Sequence, residues 1–185
     1  MRVFFTFVFS FIAMPCSATQ TWISIDDQSY IKFIAKYDDA AFEGHFKEFS
    51  SQFKFNSSDI NSSRLTSVIE VTSVDTQSRD RDQTLAENDW FYFSKFPQAT
   101  FSSLSISKIN EQLFEVSGLL SIREQKKEIT FPMRWEPLNN HQRHAHARIT
   151  LDRRDYNVGI GEWFDDETIG FDVEVIFSIT YQMDN

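Results

Sequence analysis

Cysteine is almost absent: the 185-residue chain has one, Cys16, and it falls inside an N-terminal apolar stretch. A disulfide framework, a thiolate metal centre and a thiol nucleophile are therefore all out of reach for the rest of the chain. Glycine and proline are scarce at five and four, which excludes linker-rich organisation and leaves no phosphate-cradling glycine loop. Basic residues are outnumbered 18 to 27, giving a net charge of -9 and a pI near 4.9. That balance argues against nucleic-acid binding through phosphates and makes anionic membrane surfaces poor partners. Leucine is low as well, with eight residues against 20 phenylalanines. Abundant phenylalanine and β-branched residues with few breakers favour strands over helices.

The one long apolar run is Val3 to Met14, preceded by Arg2 and followed by Pro15, Ser17 and Ala18. A single basic residue, a short apolar core and small residues at the end describe a secretory signal peptide; the run is too short and too lightly flanked for a membrane span. Cleavage is expected after Ala18, with lipidation of Cys16 as an alternative that Met14-Pro15 makes a poor fit. Removal of residues 1–18 leaves 167, free of cysteine and enough for one domain, residues 19–185. Export of such a chain fits a bacterial periplasm.

Most of the remainder alternates with period two. Residues 30–37 put Ile31, Phe33, Ala35 and Tyr37 on one face and Lys32 and Lys36 on the other. Residues 42–55 carry Phe42, Gly44 and Phe46, then Phe49, Ser51, Phe53 and Phe55, with a one-residue change of phase that predicts a bulge or bend. Further strands are predicted over 65–72, 99–109, 113–123, 128–135, 144–151 and 169–181. Their apolar rows include Leu65, Ile69, Val71; Phe114, Val116, Leu120, Ile122; Ile129, Phe131, Met133, Trp135; Ala145, Ala147, Ile149, Leu151; and Phe171, Val173, Val175, Phe177, Ile179, Tyr181. About eight or nine antiparallel strands with one apolar face each can form a barrel or a sandwich. The long last strand, roughly 40 Å at strand rise, favours a deep barrel.

One interval is not written in strand alternation: residues 73–101, SVDTQSRDRDQTLAENDWFYFSKFPQATF. It passes through Arg79, Asp80, Arg81 and Asp82, then crowds Trp90, Phe91, Tyr92, Phe93 and Phe96 before Pro97. Aromatics at that density must lie on something apolar, so the interval predicts a short helix and an aromatic lid over the mouth or flank of the β-structure.

This interval resembles the YceI-like family of lipocalin-like, polyisoprenoid-binding periplasmic proteins. Ser73, Thr76, Arg79, Asp80, Leu85, Trp90, Phe91, Lys95, Phe96, Pro97, Thr100 and Phe101 carry the likeness, with VSGLLSI at 116–122. The segment RITLDRRDYNVGIGEW at 148–163 resembles the branch found alone or beside membrane b-type cytochromes. The resemblance implies an all-β fold, an extended antiparallel barrel of about eight strands with a helix beside it. It also implies a long-chain isoprenoid lipid ligand, such as a prenyl quinone or polyprenyl phosphate, and suggests a membrane b-type cytochrome as a partner. Two positions differ from the family pattern: Glu124 replaces a usual glycine, and Ile169-Gly170-Phe171 replaces a G-x-T.

Candidate ligand-binding residues come from the inward rows and the lid: Ile31, Phe33, Phe46, Phe53, Ile69, Trp90, Phe91, Phe101, Val116, Leu120, Phe131, Trp135, Phe171, Val173, Val175 and Phe177. Arg154 joins them from the 152–163 loop. There an arginine can fork onto a polar head group beside Gly159 and Gly161, or can form a structural ion pair with Asp155 or Glu162. His144 and His146 share a strand face with metal-binding spacing near His141, but opposite the apolar row, so solvent exposure is the expectation and no metal or other cofactor is assigned. No catalytic residue is assigned either. The main reading is a lipid carrier. The alternatives are a cell-envelope enzyme working through Asp165, Asp166 or a histidine, and a structural partner domain filled by its own phenylalanines.

Overall fold

The structure, a computed structural model, describes residues 19–38, 40–165 and 167–184. The expected leader, residues 1–18, and Asp166 lie outside the described residues. Eleven strands form one sheet: β1 Gln20–Ser24, β2 Tyr30–Tyr37, β3 Ala40–Phe46, β4 Phe49–Phe55, β5 Arg64–Glu70, β6 Val74–Asp75, β7 Gln98–Lys108, β8 Leu113–Ile122, β9 Gln125–Pro137, β10 Gln142–Asp152 and β11 Asp172–Met183. Among the described residues there is a single α-helix, α1, Arg79–Leu85.

Every pairing is antiparallel and the ladder closes where β11 meets β1. Three strands are broken in two. β11 pairs with β1 near its end, Tyr181 opposite Ser24, and with β2 nearer its start, Glu174 opposite Ile34, so β1 and β2 are two halves of one staff. β3 and β4 are likewise halves, split at residues 47–48 where the change of phase predicts a bend. β5 and β6 flank a turn at Val71–Ser73. Counted this way the wall is a closed eight-strand antiparallel barrel, and the sandwich is not formed. With β1 closing on β11, the seam where neighbouring strands part is β9–β10, from Pro132 toward Gln125.

Three local results follow from residue chemistry. β9 pairs with β8 from Gln125 to Arg134 but with β10 only from Met133 onward; Pro132, with no N–H, sits where the second ladder stops. The β8–β9 hairpin is a two-residue turn, since Ile122 faces Gln125; Arg123 takes the left-handed conformation at φ 54°, so Glu124 need not be glycine. β1 is absent from the strands that alternation predicts, yet its Trp22 is among the most buried residues in the chain.

The inward rows separate into two apolar clusters. One, around Trp22, Phe53, Phe55, Phe114, Met133, Trp135 and Tyr181, fills one end of the barrel. The other, around Phe33, Ala35, Leu85, Trp90, Tyr156, Val158 and Ile169, lies under α1 and the β10–β11 connection at the opposite end.

Candidate functional site

At the first end the barrel is a solid plug. Trp135 makes edge contacts with Trp22 at 5.6 Å, Phe53 at 4.9 Å and Tyr181 at 5.4 Å, while Phe55 meets Phe114 at 5.8 Å. Arg143 lies across the outside of this stack, its guanidinium 5.5 Å from Trp135 and 5.6 Å from Trp22. Burial there disfavours its charge and lowers its pKa. Phe53, Val116 and Met133 have no exposed surface at all.

Below the plug the interior is hollow in two steps. A far chamber of about 90 Å³ is bounded by Phe101, Ile129, Phe131, Ile149, Phe177 and Ile179, and by Tyr181 of the plug. A near chamber of about 150 Å³ follows, lined by Phe33, Phe46, Leu85, Trp90, Phe91, Tyr156, Val158 and Val173 among others. The two share Ile31, Ile69, Leu120, Leu151 and Val175, which form a waist between them. Along β11 the order Val173, Val175, Phe177, Ile179, Tyr181 therefore runs from mouth to plug, as alternation requires.

The near chamber presents carbon only. The far chamber has one polar corner, where the Tyr181 hydroxyl lies 2.6 Å from Ser51 Oγ, which lies 2.8 Å from Ser67 Oγ and donates to the Thr66 carbonyl at 3.2 Å. Burial raises the Tyr181 pKa, so the hydroxyl stays protonated. Tyr156, under the other end, is pushed up to about 12 by burial, with the neighbouring Asp155 adding to it.

The lid is built locally. Ser78 caps α1 by accepting from the Arg81 backbone N–H. Asp82 Oδ1 accepts from the Thr76 backbone N–H at 2.9 Å and from its hydroxyl at 2.7 Å, and Arg81 Nη2 donates to the Thr76 carbonyl at 2.8 Å. These bonds fix the approach to the helix so that Leu85 points inward. Trp90 and Phe91 then enter the barrel, Phe91 against Phe46 at 6.2 Å and Trp90 against Trp163 at 5.6 Å. Arg123 holds the segment from the β8–β9 turn, donating from Nη1 to the carbonyls of Trp90 and Asn157.

Outside the near chamber, and sharing Phe42, Leu85, Trp90 and Ile169 with it, is a side chamber of about 240 Å³. Its remaining wall is amphipathic: Tyr37, Asp80, Arg81, Thr84 and Trp163. The Arg81 guanidinium stacks 4.9 Å from the Phe42 ring at this boundary.

The β10–β11 connection is organised by Arg153, which is 4% exposed. Nε donates to Gly170 O at 3.1 Å, Nη1 to Val158 O at 3.2 Å and Gly159 O at 2.6 Å, and Nη2 to Trp163, Asp165 and Ile169 carbonyls at 2.6, 2.7 and 3.0 Å. Gly159 is needed beside it: its φ is +71°, and a Cβ would lie 2.5 Å from Arg153 Nη1. The close approach this glycine permits is thus to a side chain of its own loop.

Of the residues singled out from sequence, Ile31, Phe33, Phe46, Ile69, Trp90, Phe91, Phe101, Leu120, Phe131, Val173, Val175 and Phe177 line one chamber or both. Phe53, Val116 and Trp135 do not; they are in the plug or its packed surround. Arg154 and Phe171 do not either. Arg154 is paired with Asp152 at 2.5 Å and stacked 3.5 Å over the Phe171 ring, and Asp155 faces Lys127 at 3.3 Å, so neither ion pair considered for the loop is formed. Arg153, its neighbour, lines the near chamber instead. His144 is on the outer face but half-buried, with Nε2 3.0 Å from Ser178 Oγ. Among the described residues no group of three potential ligands could hold a metal. Among them, too, no helix is long and apolar enough to cross a membrane.

The YceI-like domain matches residues 22–181, nearly the whole described chain. The protein belongs to the YceI-like family. Among curated YceI-like relatives, Protein YceI of Escherichia coli O157:H7 is 34% identical over 87 residues, and that of Salmonella arizonae 33% over the same length. These matches take in 47% of this chain and 45% of each relative, so the aligned part spans about half the length of the curated relatives. In three dimensions the YceI-like chain is similar to Burkholderia cenocepacia BcnA, with TM-score 0.81 and 27% identity over 85% of this chain and 98% of that one. It is also similar in fold to a polyisoprenoid-binding domain from Saccharophagus degradans, with TM-score 0.73 and 16% identity over 90% and 99% of the two chains. The Campylobacter jejuni YCEI protein shares the fold as well, at TM-score 0.66 and 19% identity over 77% and 84%.

Proposed function

We propose that this YceI-like protein is a binding protein for an isoprenoid lipid, with the chain in the two interior chambers and the polar head in the side chamber. The observation that carries the reading is the contrast in lining: a carbon-only near chamber adjoins, across four shared residues, a chamber that offers Arg81, Asp80, Thr84 and Tyr37. An amphipathic guest satisfies both at once, whereas a polar metabolite in the interior would lose its hydrogen bonds to water. Each methylene moved out of water contributes about 0.8 kcal/mol against an association cost of about 4–15 kcal/mol, so the guest needs a chain and not a methyl group. The polyisoprenoid-binding character of a protein with the same fold supports the reading.

The proposal is one of binding, because the carbon-lined near chamber offers a guest burial rather than chemistry. Export with residues 1–18 as the leader, a periplasmic setting and a membrane b-type cytochrome as recipient or donor of the guest belong to the same proposal, the last from the likeness of residues 148–163. Organic extraction of the natively purified protein followed by mass spectrometry tests the central point. An isoprenoid in stoichiometric amount is expected; an empty extract, with no uptake of added prenyl lipids, overturns it. Fractionation of the native host tests the compartment.

A further inference from the structure

The chambers end abruptly, and what ends them is rigid. Tyr181 closes the far chamber and is backed by Trp135 at 5.4 Å, which is itself wedged by Phe53 and Trp22 at 4.9 and 5.6 Å. None of these four rings is more than 2% exposed, so none can swing aside without displacing another. The Tyr181 hydroxyl is also tied to Ser51 at 2.6 Å. A chain entering from the lid thus has a fixed stop.

The space before the stop is small. A dry apolar cavity of about 150 Å³ accommodates a benzene-sized guest. The near and far chambers, at about 150 and 90 Å³, therefore hold on the order of ten to fifteen carbons once the walls adjust around the guest. We infer that the aromatic plug acts as a chain-length ruler, and that this protein selects a short prenyl chain, about two or three isoprene units, over the long polyprenyl chains that an unplugged barrel would take. The inference rests on the isoprenoid reading above and specifies its substrate class. Selection comes from the far chamber: the waist of Ile31, Ile69, Leu120, Leu151 and Val175 admits the chain, and the plug rejects whatever exceeds it.

The test is a binding series with one head group and increasing chain length, geraniol, farnesol, geranylgeraniol and octaprenol, on the mature protein, read by native mass spectrometry and by displacement of a fluorescent apolar probe. Affinity is expected to rise to farnesol and to fall by about tenfold or more for octaprenol. Ile149→Phe, which fills the far chamber, is expected to move the optimum toward geraniol, and Phe131→Leu, which widens it, to move the optimum toward geranylgeraniol. Two opposite substitutions keep the outcome readable even if one variant folds poorly. Affinity that keeps rising to octaprenol, with an optimum indifferent to both variants, overturns the ruler while leaving isoprenoid binding intact. Absence of binding at every length overturns both.

Discussion

Truncation of Arg153 is the most informative single perturbation, because one side chain holds a whole wall of the cavity. Its guanidinium meets six backbone carbonyls with five N–H groups, so at least one N–H is shared. Those carbonyls belong to residues 158–170, the segment that places Val158 and Ile169 against the near chamber and Trp163 against Trp90. A hydrogen bond from a charged donor contributes about 1.5–3 kcal/mol net, but six acceptors on one segment relax together once the cation is gone. The loss for Arg153→Ala is therefore set at about 3–5 kcal/mol, the range for breaking a buried charge's interactions rather than the sum of the bonds. At about 2–4 °C per kcal/mol for a domain of this size, the melting temperature should fall by about 6–20 °C. Arg153→Lys is the sharper comparison, since it keeps the charge but replaces a planar fork with a point donor that can reach at most three of the carbonyls. It is expected to recover less than half of the loss. Urea titrations of the two variants and the parent give the energies, and limited proteolysis should show earlier cleavage within residues 157–168. A lysine variant as stable as the parent would refute the fork argument. An alanine variant within about 1 kcal/mol of the parent would show that the loop is held by other means.

Trp90→Ala should cost about 3–5 kcal/mol and remove the ring that lines both the near and the side chamber, so thermal stability and probe affinity fall together; among the described residues its indole N–H has no partner to lose, which makes the cost one of packing. Tyr181→Phe removes the hydroxyl bonded to Ser51 but leaves Ser51 its contacts with Ser67 and Thr66, so a loss of only about 1 kcal/mol is expected in urea titration, and a loss above about 3 kcal/mol would contradict this. His144 has its pKa lowered, first by burial and then by His146. Its unfolded form therefore takes up a proton before its folded form does, so this contribution is complete above about pH 6.5 and is lost as pH falls from there toward the lower folded-state value. Denaturant midpoints measured between about pH 7.5 and 5 should decline less steeply in His144→Asn than in the parent, and parallel slopes would dissociate His144 from the effect.

Much of the barrel is legible in the sequence because alternation states which side of a strand is dry. Ile31, Phe33, Leu120 and Val175 face inward for that reason alone, and the phase change between Phe46 and Phe49 announces the break at residues 47–48. Alternation says nothing of whether a dry row meets other rings or empty space. Phe53 and Trp135 therefore read the same as Phe33 and Phe131, although the first pair is plug and the second lines a chamber; the difference lies in cross-barrel distances between residues remote in sequence. Arg153 and Arg154 show a second limit. Of these adjacent and identical residues Arg154 is the one singled out for the cavity, yet Arg153 lines it and Arg154 pairs with Asp152, because a connection without a period gives no rule for which of two neighbours turns inward. β1 is missed for a third reason: five residues beginning two positions past the expected cleavage are too few to display alternation.

The short helix over the mouth has a consequence for timing. α1 meets the wall through side chains such as Leu85 against the core and Arg81 over Phe42, while the backbone bonds securing the lid segment lie beyond it, where Asp89 O accepts from Gly159 and Ile160 at 2.8 and 2.9 Å. Swinging α1 outward about those anchors breaks no rung between strands. On the carrier proposal a guest is exchanged while the staves stay joined, its residence time set by the contacts of α1, the bonds of Asp82 and Arg81 to Thr76 among them, and the lifetime of the fold by the aromatic plug at the other end. Substitutions on the outer half of α1 should change how fast a lipid leaves without changing how hard the barrel is to unfold.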